Sequence, residues 1–488
     1  MAIIRSLIAA TALLGAAARA QVVGTPFGFG AGTTGGGDAT PAAPADNDEL
    51  TQWLADDEPR VILIDKEFNF LGDTCVDCEC CIPDSNSCGD AGQNAIEVGI
   101  GWCGDSPTTT CTYDNAGLSG LEVGPNKSIV GVGDAGVIRG TGLRLHGTSN
   151  IIVQNIHITE LNPQYIWGGD GISLDGCDLI WIDHVKISLV GRQMLVTGYE
   201  TSRSLSLAVR FQTNILVGGS VTISNCELDG ATDWSASCDG HHYWTILALG
   251  ENDKVTFANN YIHQTSGRAP KIGAPGYWHV YNNYWYDNTG HAFDMSEANI
   301  LIEGNVFEDV KSAYEEPHDS GAAFAVSSDD VSACSSALGR TCVANLLTDS
   351  EATAVANSDV LSSWPADEEG ELTILPVEEV AAYVLANAGV GKLSSSGDSA
   401  SSAEPSESAT VSVPVIQTPT AGVPVIQTPT AEPEPEAVVT STPAPVIEAP
   451  QAESTPAENV PATPSGSAAA PPKGACANRK LRRRHAQH

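Results

Sequence analysis

"VTFANNYIHQTSGRAPKIGAPGYWHVYNNYWYDN" (residues 255–288) says the same short phrase twice. An apolar anchor is followed two residues later by asparagine: Phe257 by Asn259, Val280 by Asn282. The phrase recurs as "IVQNI", "IDHV", "ISNC" and "IEGN", with anchors Val153, Ile182, Ile223 and Ile302. The polar column then reads Asn155, His184, Asn225, Asn259, Asn282, Gly304, at intervals of 29, 41, 34, 23 and 22 residues. Units of about 20 to 40 residues, each a β-branched or aromatic strand and a polar turn, predict a solenoid. Strand character without helical periodicity makes it all-β, a parallel β-helix. Asparagine suits the turn because it tolerates left-handed backbone angles, and its amide can ladder from rung to rung. A β-propeller is the competing repeat fold, but it wants four strands per unit, which the shortest intervals barely hold.

The 41-residue interval breaks the pattern. It contains "LAVRFQTNILVGGS" (207–220), which lacks the turn punctuation of its neighbours. Removing about 16 residues would restore an ordinary rung. The segment reads either as a retained intron or as an inserted surface loop, and sequencing the transcript separates them.

Outside the repeats the composition changes sharply. Residues 1–20 carry a basic start at Arg5, an apolar run from Leu7 to Ala18 and a small-x-small site at Ala18-Arg19-Ala20, the pattern of a secretory signal. The run is too short to span a membrane, and no later stretch reaches about 18 apolar residues. Residues 21–393 form the expected folded domain. From residue 394 to 488 the chain is rich in Ser, Thr, Pro, Ala and Glu, duplicates "VPVIQTPTA", and ends in the basic "CANRKLRRRHAQH". Such a tail cannot bury enough apolar surface to fold, and its composition suits O-glycosylation.

Thirteen cysteines among 488 residues fit an oxidising compartment. Seven fall between Cys75 and Cys111; disulfides are favoured there over zinc. Cys334 and Cys342 suit a local bridge, while Cys177 and Cys226 lie in apolar stretches and read as buried. Asn126-Lys127-Ser128 is an N-glycosylation sequon.

The formal net charge is −37. Of the 23 Lys and Arg, six lie at or after Lys473 and two in the first twenty residues. So acidic a chain repels nucleic acid and other polyanions. Against that background "HQTSGRAPKIG" (263–273) places Arg268 and Lys271 together in what reads as an exposed loop.

These words have a family likeness. "YIWGGDGISLDGCDLIWIDHV", "GRQ", "CDGHHYW", "TSGRAPKI" and "NNYWYDNTGHAF" resemble the secreted pectin lyases of polysaccharide lyase family 1, over roughly residues 25–393. The resemblance implies a right-handed single-stranded parallel β-helix. It implies β-elimination on homogalacturonan, leaving 4,5-unsaturated oligogalacturonides. By position, Arg268 matches the family's catalytic arginine, which takes the C5 proton, and Asp170 and Arg192 match the pair beside it. Pectate lyases hold acidic calcium ligands in this region; here one ligand position resembles Arg192. A guanidinium beside Asp170 would itself fill the cation site. The expectation is therefore no metal and no cofactor.

The physics supports that outline. Removing a proton next to a carbonyl builds enolate charge, which fixed cations stabilise. A methyl ester is a better electron sink than a carboxylate, so guanidinium groups can suffice. Arginine is a difficult base, however, because it holds its proton far above neutral pH. Trp102, Trp167, Tyr243 and Trp244 are the candidate sugar-stacking aromatics, and Lys271 a further substrate contact. The arginine that most pectate lyases carry five residues after the catalytic one is Gly273 here. That favours a methylated, nearly neutral chain. His184 and Asp183 read as turn residues. His263, His279 and His291 look scattered. The paired-aspartate motif of β-helical polygalacturonases is missing.

The sequence thus predicts a secreted, monomeric enzyme acting on methylated pectin, without nucleic acid or membrane partners. Two alternatives remain: a calcium-dependent pectate lyase, and an inactive β-helical protein that binds the cell wall or acts as an elicitor.

Overall fold

The computed structural model describes residues 21–198, 219–318, 320–370 and 372–393. The expected signal sequence (1–20), most of the 207–220 segment and the 394–488 tail lie outside them.

The anchors align as the repeat predicts. Val153, Ile182, Ile223, Phe257, Val280 and Ile302 face one another in parallel register on successive strands. All six are at most 1% exposed. They belong to a nine-stranded sheet running from Arg60–Ile64 to Ala322–Ala325. A second nine-stranded sheet runs from Glu67–Asn69 to Leu346–Thr348, and a seven-stranded third from Leu121–Glu122 to Asp294–Met295. Each coil contributes one strand to each of the first two sheets, all but the last two coils also contribute one to the third, and every pairing within the three is parallel. That is a parallel β-helix; a propeller would pair consecutive strands within a blade. Inward-facing residues fill the axis, where Trp285 stacks on Phe307 at 4.8 Å and packs against Phe293 at 5.5 Å.

The turn between the first two sheets divides the expected role of asparagine between two columns. Asn155, His184, Asn225, Asn259 and Asn282 have φ of 59°, 52°, 50°, 60° and 53°, and Gly304 has 59°. That column supplies the left-handed bend. The amide ladder is one residue further on, at Asn260, Asn283, Asn305 and Asn345. There the Oδ1 atoms of Asn283, Asn305 and Asn345 each accept both the backbone N–H and the Nδ2–H of the asparagine one rung before, at 2.9–3.0 Å, and Asn260 Oδ1 starts the ladder by accepting the backbone N–H of Cys226 at 2.8 Å. The ladder satisfies amides that burial would otherwise leave orphaned, at about 1–3 kcal/mol each. Asp183 and His184 are structural in the same way. Asp183 is 2% exposed and accepts from Gln154, His184, Ser224 and Asn225. The sequon asparagine, Asn126, is another left-handed turn residue, at φ 56°, whose Oδ1 accepts from Asn150.

The cysteines between Cys75 and Cys111 build a small, mostly antiparallel sheet, pairing as Cys75–Cys78, Cys80–Cys111 and Cys81–Cys103. Cys88 reaches out to Cys238. Cys334–Cys342 is the local bridge expected, and Cys177 and Cys226 are free and buried.

His279 is not isolated, as it looked in sequence. It is fully buried on the first sheet, with Glu369 at 2.7 Å and Glu303 at 2.9 Å. Arg340 closes the group on Glu303, and Trp364 donates to Glu369. Burial alone would push the imidazole pKa down, but the carboxylates of Glu369 and Glu303 outweigh it and hold the value at about 9. Burial would likewise raise Glu303, but hydrogen bonds from His279 and Arg340 bring it to about 2. The His279 contribution is complete below the unfolded value of 6.5 and is lost as pH rises through about 9. Urea unfolding of the wild-type protein is therefore expected to lose roughly 3 kcal/mol between about pH 6.5 and 10. A His279→Gln protein should start lower and stay flatter over that range.

Candidate active site

The third sheet positions the site. Its register pairs Ile172 with Leu195, Leu195 with Ile246, Leu247 with Lys271, and Lys271 with Asp294. Counted back along each strand, Asp170, Gln193, Trp244, Arg268 and His291 hold equivalent places on successive rungs. Adjacent rungs lie about 4.8 Å apart. Residues as far apart in the chain as Asp170 and His291 are thereby stacked in one column beside the sheet.

Asp170 and Arg192 form a buried pair. The guanidinium Nη1 lies 3.6 Å from Asp170 Oδ2, with side chains 6% and 7% exposed. Asp170 Oδ1 accepts the backbone N–H of Gln193 at 2.9 Å. Burial raises the Asp170 pKa, and Arg192 and the Gln193 hydrogen bond only partly offset this. The Arg192 guanidinium carbon sits 3.9 Å from the centre of the Trp167 ring.

Arg268 lies in a bend, not in an exposed loop. Its φ is 47°, and Ser266, Gly267, Ala269 and Pro270 around it are buried. Lys271 opens a strand of the third sheet. The Arg268 guanidinium carbon is 4.7 Å from the Trp244 ring centre and 5.7 Å from that of Tyr243. A side chain at Gly267 would place its Cβ 2.5 Å from Tyr243, so only glycine lets the bend approach that ring. Burial lowers the Arg268 pKa, and nearby Arg192 adds to the effect; Tyr243 and Asp294 oppose it.

The aromatic candidates divide. Trp167, Tyr243 and Trp244 carry arginines on their rings, a cation–π use of those faces. Trp102 is 40% exposed and meets Trp167 edge-on at 6.4 Å, which leaves it the most open to a sugar ring. Lys271 is half-buried and paired with Asp294 at 2.7 Å. All eight candidate residues therefore lie at or beside one end of the third sheet's strands.

Two further residues, Gln93 and His242, hold this arrangement in place. Gln93 accepts from Trp244 Nε1 at 2.9 Å and donates to the carbonyls of Pro163 and Gly191. His242 is buried, and its Nε2–H faces the carbonyls of Arg192 at 2.7 Å and Trp244 at 3.0 Å. Burial pushes its pKa down to about 4, so it serves as a neutral donor between the two rungs. Gln193 and His291 complete the column. His242, Gln193 and His291 stood within the quoted motifs "CDGHHYW", "GRQ" and "NNYWYDNTGHAF". Gln93 had no signal.

A calcium ion does not suit these residues. Asp170 already has one oxygen facing Arg192 and the other accepting a backbone N–H. Among the described residues, the group with metal-ligand spacing is Glu227, Asp229 and His263, on the second sheet. Lys186 already bridges its carboxylates at 2.8 and 2.9 Å.

The family model described as pectate lyase matches residues 3–393. A protein of Emericella nidulans named probable pectin lyase F is 79% identical over 404 residues, covering 82% of this chain and 83% of its own length. One of the same name from Aspergillus flavus is 62% identical over 412 residues, covering 83% of this chain and 92% of its own. A solved pectate lyase variant from Xanthomonas campestris is 18% identical with a TM-score of 0.47, over 75% of this chain and 98% of that one. With the family model spanning its whole folded region and relatives this similar, the chain belongs to the pectate lyase family.

Proposed function

We propose that this protein is a secreted pectin lyase, cutting methyl-esterified homogalacturonan within the chain by metal-free β-elimination. The observation that carries the reading is the Arg192 guanidinium beside buried Asp170, where a pectate lyase needs ligands for calcium. The names of the two fungal relatives support it.

Arg268 is the central group. It stands beside the C5 proton and the ester carbonyl, and accepts the proton as enolate charge grows on the carbonyl oxygen. Arg192 and Lys271 add positive potential where that charge develops. Asp170 orients Arg192. The ester withdraws electrons without a metal, and expulsion of O4 from C4 leaves the 4,5-double bond. Trp102 gives a sugar ring a flat apolar face. Five disulfides among the described residues fit an oxidising, extracellular location. No helix of the described residues is long and apolar enough to cross a membrane.

Ultraviolet absorbance of the unsaturated product tests this, with chelator present, on highly methylated pectin and on polygalacturonate in parallel. Signal on methylated pectin alone is expected. Signal confined to polygalacturonate and dependent on added calcium would make the protein a pectate lyase. Silence on both would favour a binding protein.

A further inference from the structure

The column beside the third sheet collects polar atoms that lack hydrogen-bond partners. Both amide atoms of Gln193, the Nε of Arg268 and the Nε2 of His291 are buried without one. Folded proteins seldom leave such atoms unsatisfied, and those that persist invite a functional account. Arg268 and His291 are adjacent here. Lys271 pairs with Asp294, and Ala269 N–H donates to Ala292 O at 2.9 Å, so the two side chains leave equivalent points one rung apart. Both border the same ring: Tyr243 lies 5.7 Å from the Arg268 guanidinium carbon and 6.1 Å, edge-on, from the His291 imidazole. A donor without an acceptor thus stands beside an unpartnered ring nitrogen, which accepts when the imidazole carries its proton on Nδ1.

We propose that His291 is the final acceptor of the proton taken from C5, receiving it through Arg268. This rests on the lyase reading above and answers its main difficulty. An unperturbed arginine is neutral in only about one molecule in 10⁶ at pH 7, so a free guanidine is a scarce base. A relay removes that requirement. One terminal nitrogen of Arg268 takes the C5 proton as another of its N–H protons passes to His291 Nε2, directly or through one water. The C5–H electrons become the second bond between C4 and C5. The C4–O4 electrons leave on O4, which takes a proton from solvent water. The imidazolium then returns its proton to the hydroxide so formed. Arg268 is a guanidinium before and after, and stabilises the enolate throughout.

The surroundings of His291 suit an acceptor. Burial lowers its pKa from 6.5; Lys271 and Arg268 push the same way, against Asp294 and Glu315. Tyr243 is the aromatic wall. The ring is therefore neutral at neutral pH, and activity should rise with pH as His291 loses its proton.

The test is kcat/KM on methylated pectin against pH, for the wild-type protein and for His291→Asn and His291→Gln, with folding checked by urea midpoint. His291→Gly is assayed with and without imidazole. The wild-type protein should lose activity on the acid side through one group titrating below about pH 6.5. His291→Asn should fall about a hundredfold or more and lack that limb. Imidazole should restore at least about tenfold to His291→Gly, in proportion to its neutral form. An inactive wild-type protein overturns the lyase reading and this one with it. An active wild-type protein whose variants stay within about threefold overturns the role of His291 alone. So does a loss that leaves the acid limb in place and that imidazole does not reverse.

Discussion

An Arg268→Ala protein is expected to lose at least about a thousandfold in kcat/KM on methylated pectin while keeping its fold. In the proposed mechanism the loss combines two effects, because the guanidinium both handles the C5 proton and faces the developing enolate. Either alone is worth about a hundredfold or more. The fold should survive because the side chain leaves few obligations behind. Arg268 Nε has no hydrogen-bond partner, and the guanidinium lies on the rings of Trp244 and Tyr243, outside the axial core. The left-handed backbone at φ 47° strains alanine no more than arginine, since both carry a Cβ. Arg268→Lys keeps a charge but not the planar fork that can take and pass protons on different nitrogens, so it should recover only a small part of the rate. Initial rates by absorbance, with the urea midpoint as the folding control, decide the matter. A folded Arg268→Ala protein within tenfold of wild type would remove Arg268 from the chemistry.

What the sequence could and could not disclose follows from the physics of the fold. A β-helix repeats its contacts, so anchors such as Phe257 and Val280 had to recur in a column, and the register places them face to face. The left-handed turn was legible because few residue types tolerate it. The amide ladder was not separable from it: "ANN" and "YNN" put two asparagines together, and only coordinates show that the second one ladders. The candidate site residues stood out through their motifs, but their geometry did not. Trp244 and Tyr243 read as sugar platforms, whereas their rings hold Arg268. Gln93 stands in a Cys-rich excursion without periodicity, so nothing announced its bond to Trp244. His279 looked alone because its carboxylates lie 24 and 90 residues away, and no local pattern encodes such a meeting.

Replacing Arg192 with alanine should damage both stability and catalysis, and the two losses can be separated. Asp170 is 7% exposed and its pKa is already raised by burial, with Arg192 resisting the rise. Without the guanidinium a charged Asp170 would be left uncompensated, which costs about 3–5 kcal/mol when one partner of a buried pair is removed. Protonation of the carboxyl caps that cost. A carboxyl whose folded pKa stands above its unfolded 3.8 destabilises the protein as pH rises between the two values. The stability lost in Arg192→Ala should therefore be largest near neutral pH and shrink as the medium approaches pH 3.8. Arg192→Ala/Asp170→Asn removes the buried charge, so it should regain most of the lost stability at neutral pH. It should not regain activity, because the positive potential facing the enolate is still missing, and kcat/KM should stay down about a hundredfold or more. Urea unfolding of the single and double variants across pH gives the coupling between the two residues directly. If the double variant recovers activity along with stability, Arg192 serves only to neutralise Asp170, and its guanidinium does not stand in for calcium.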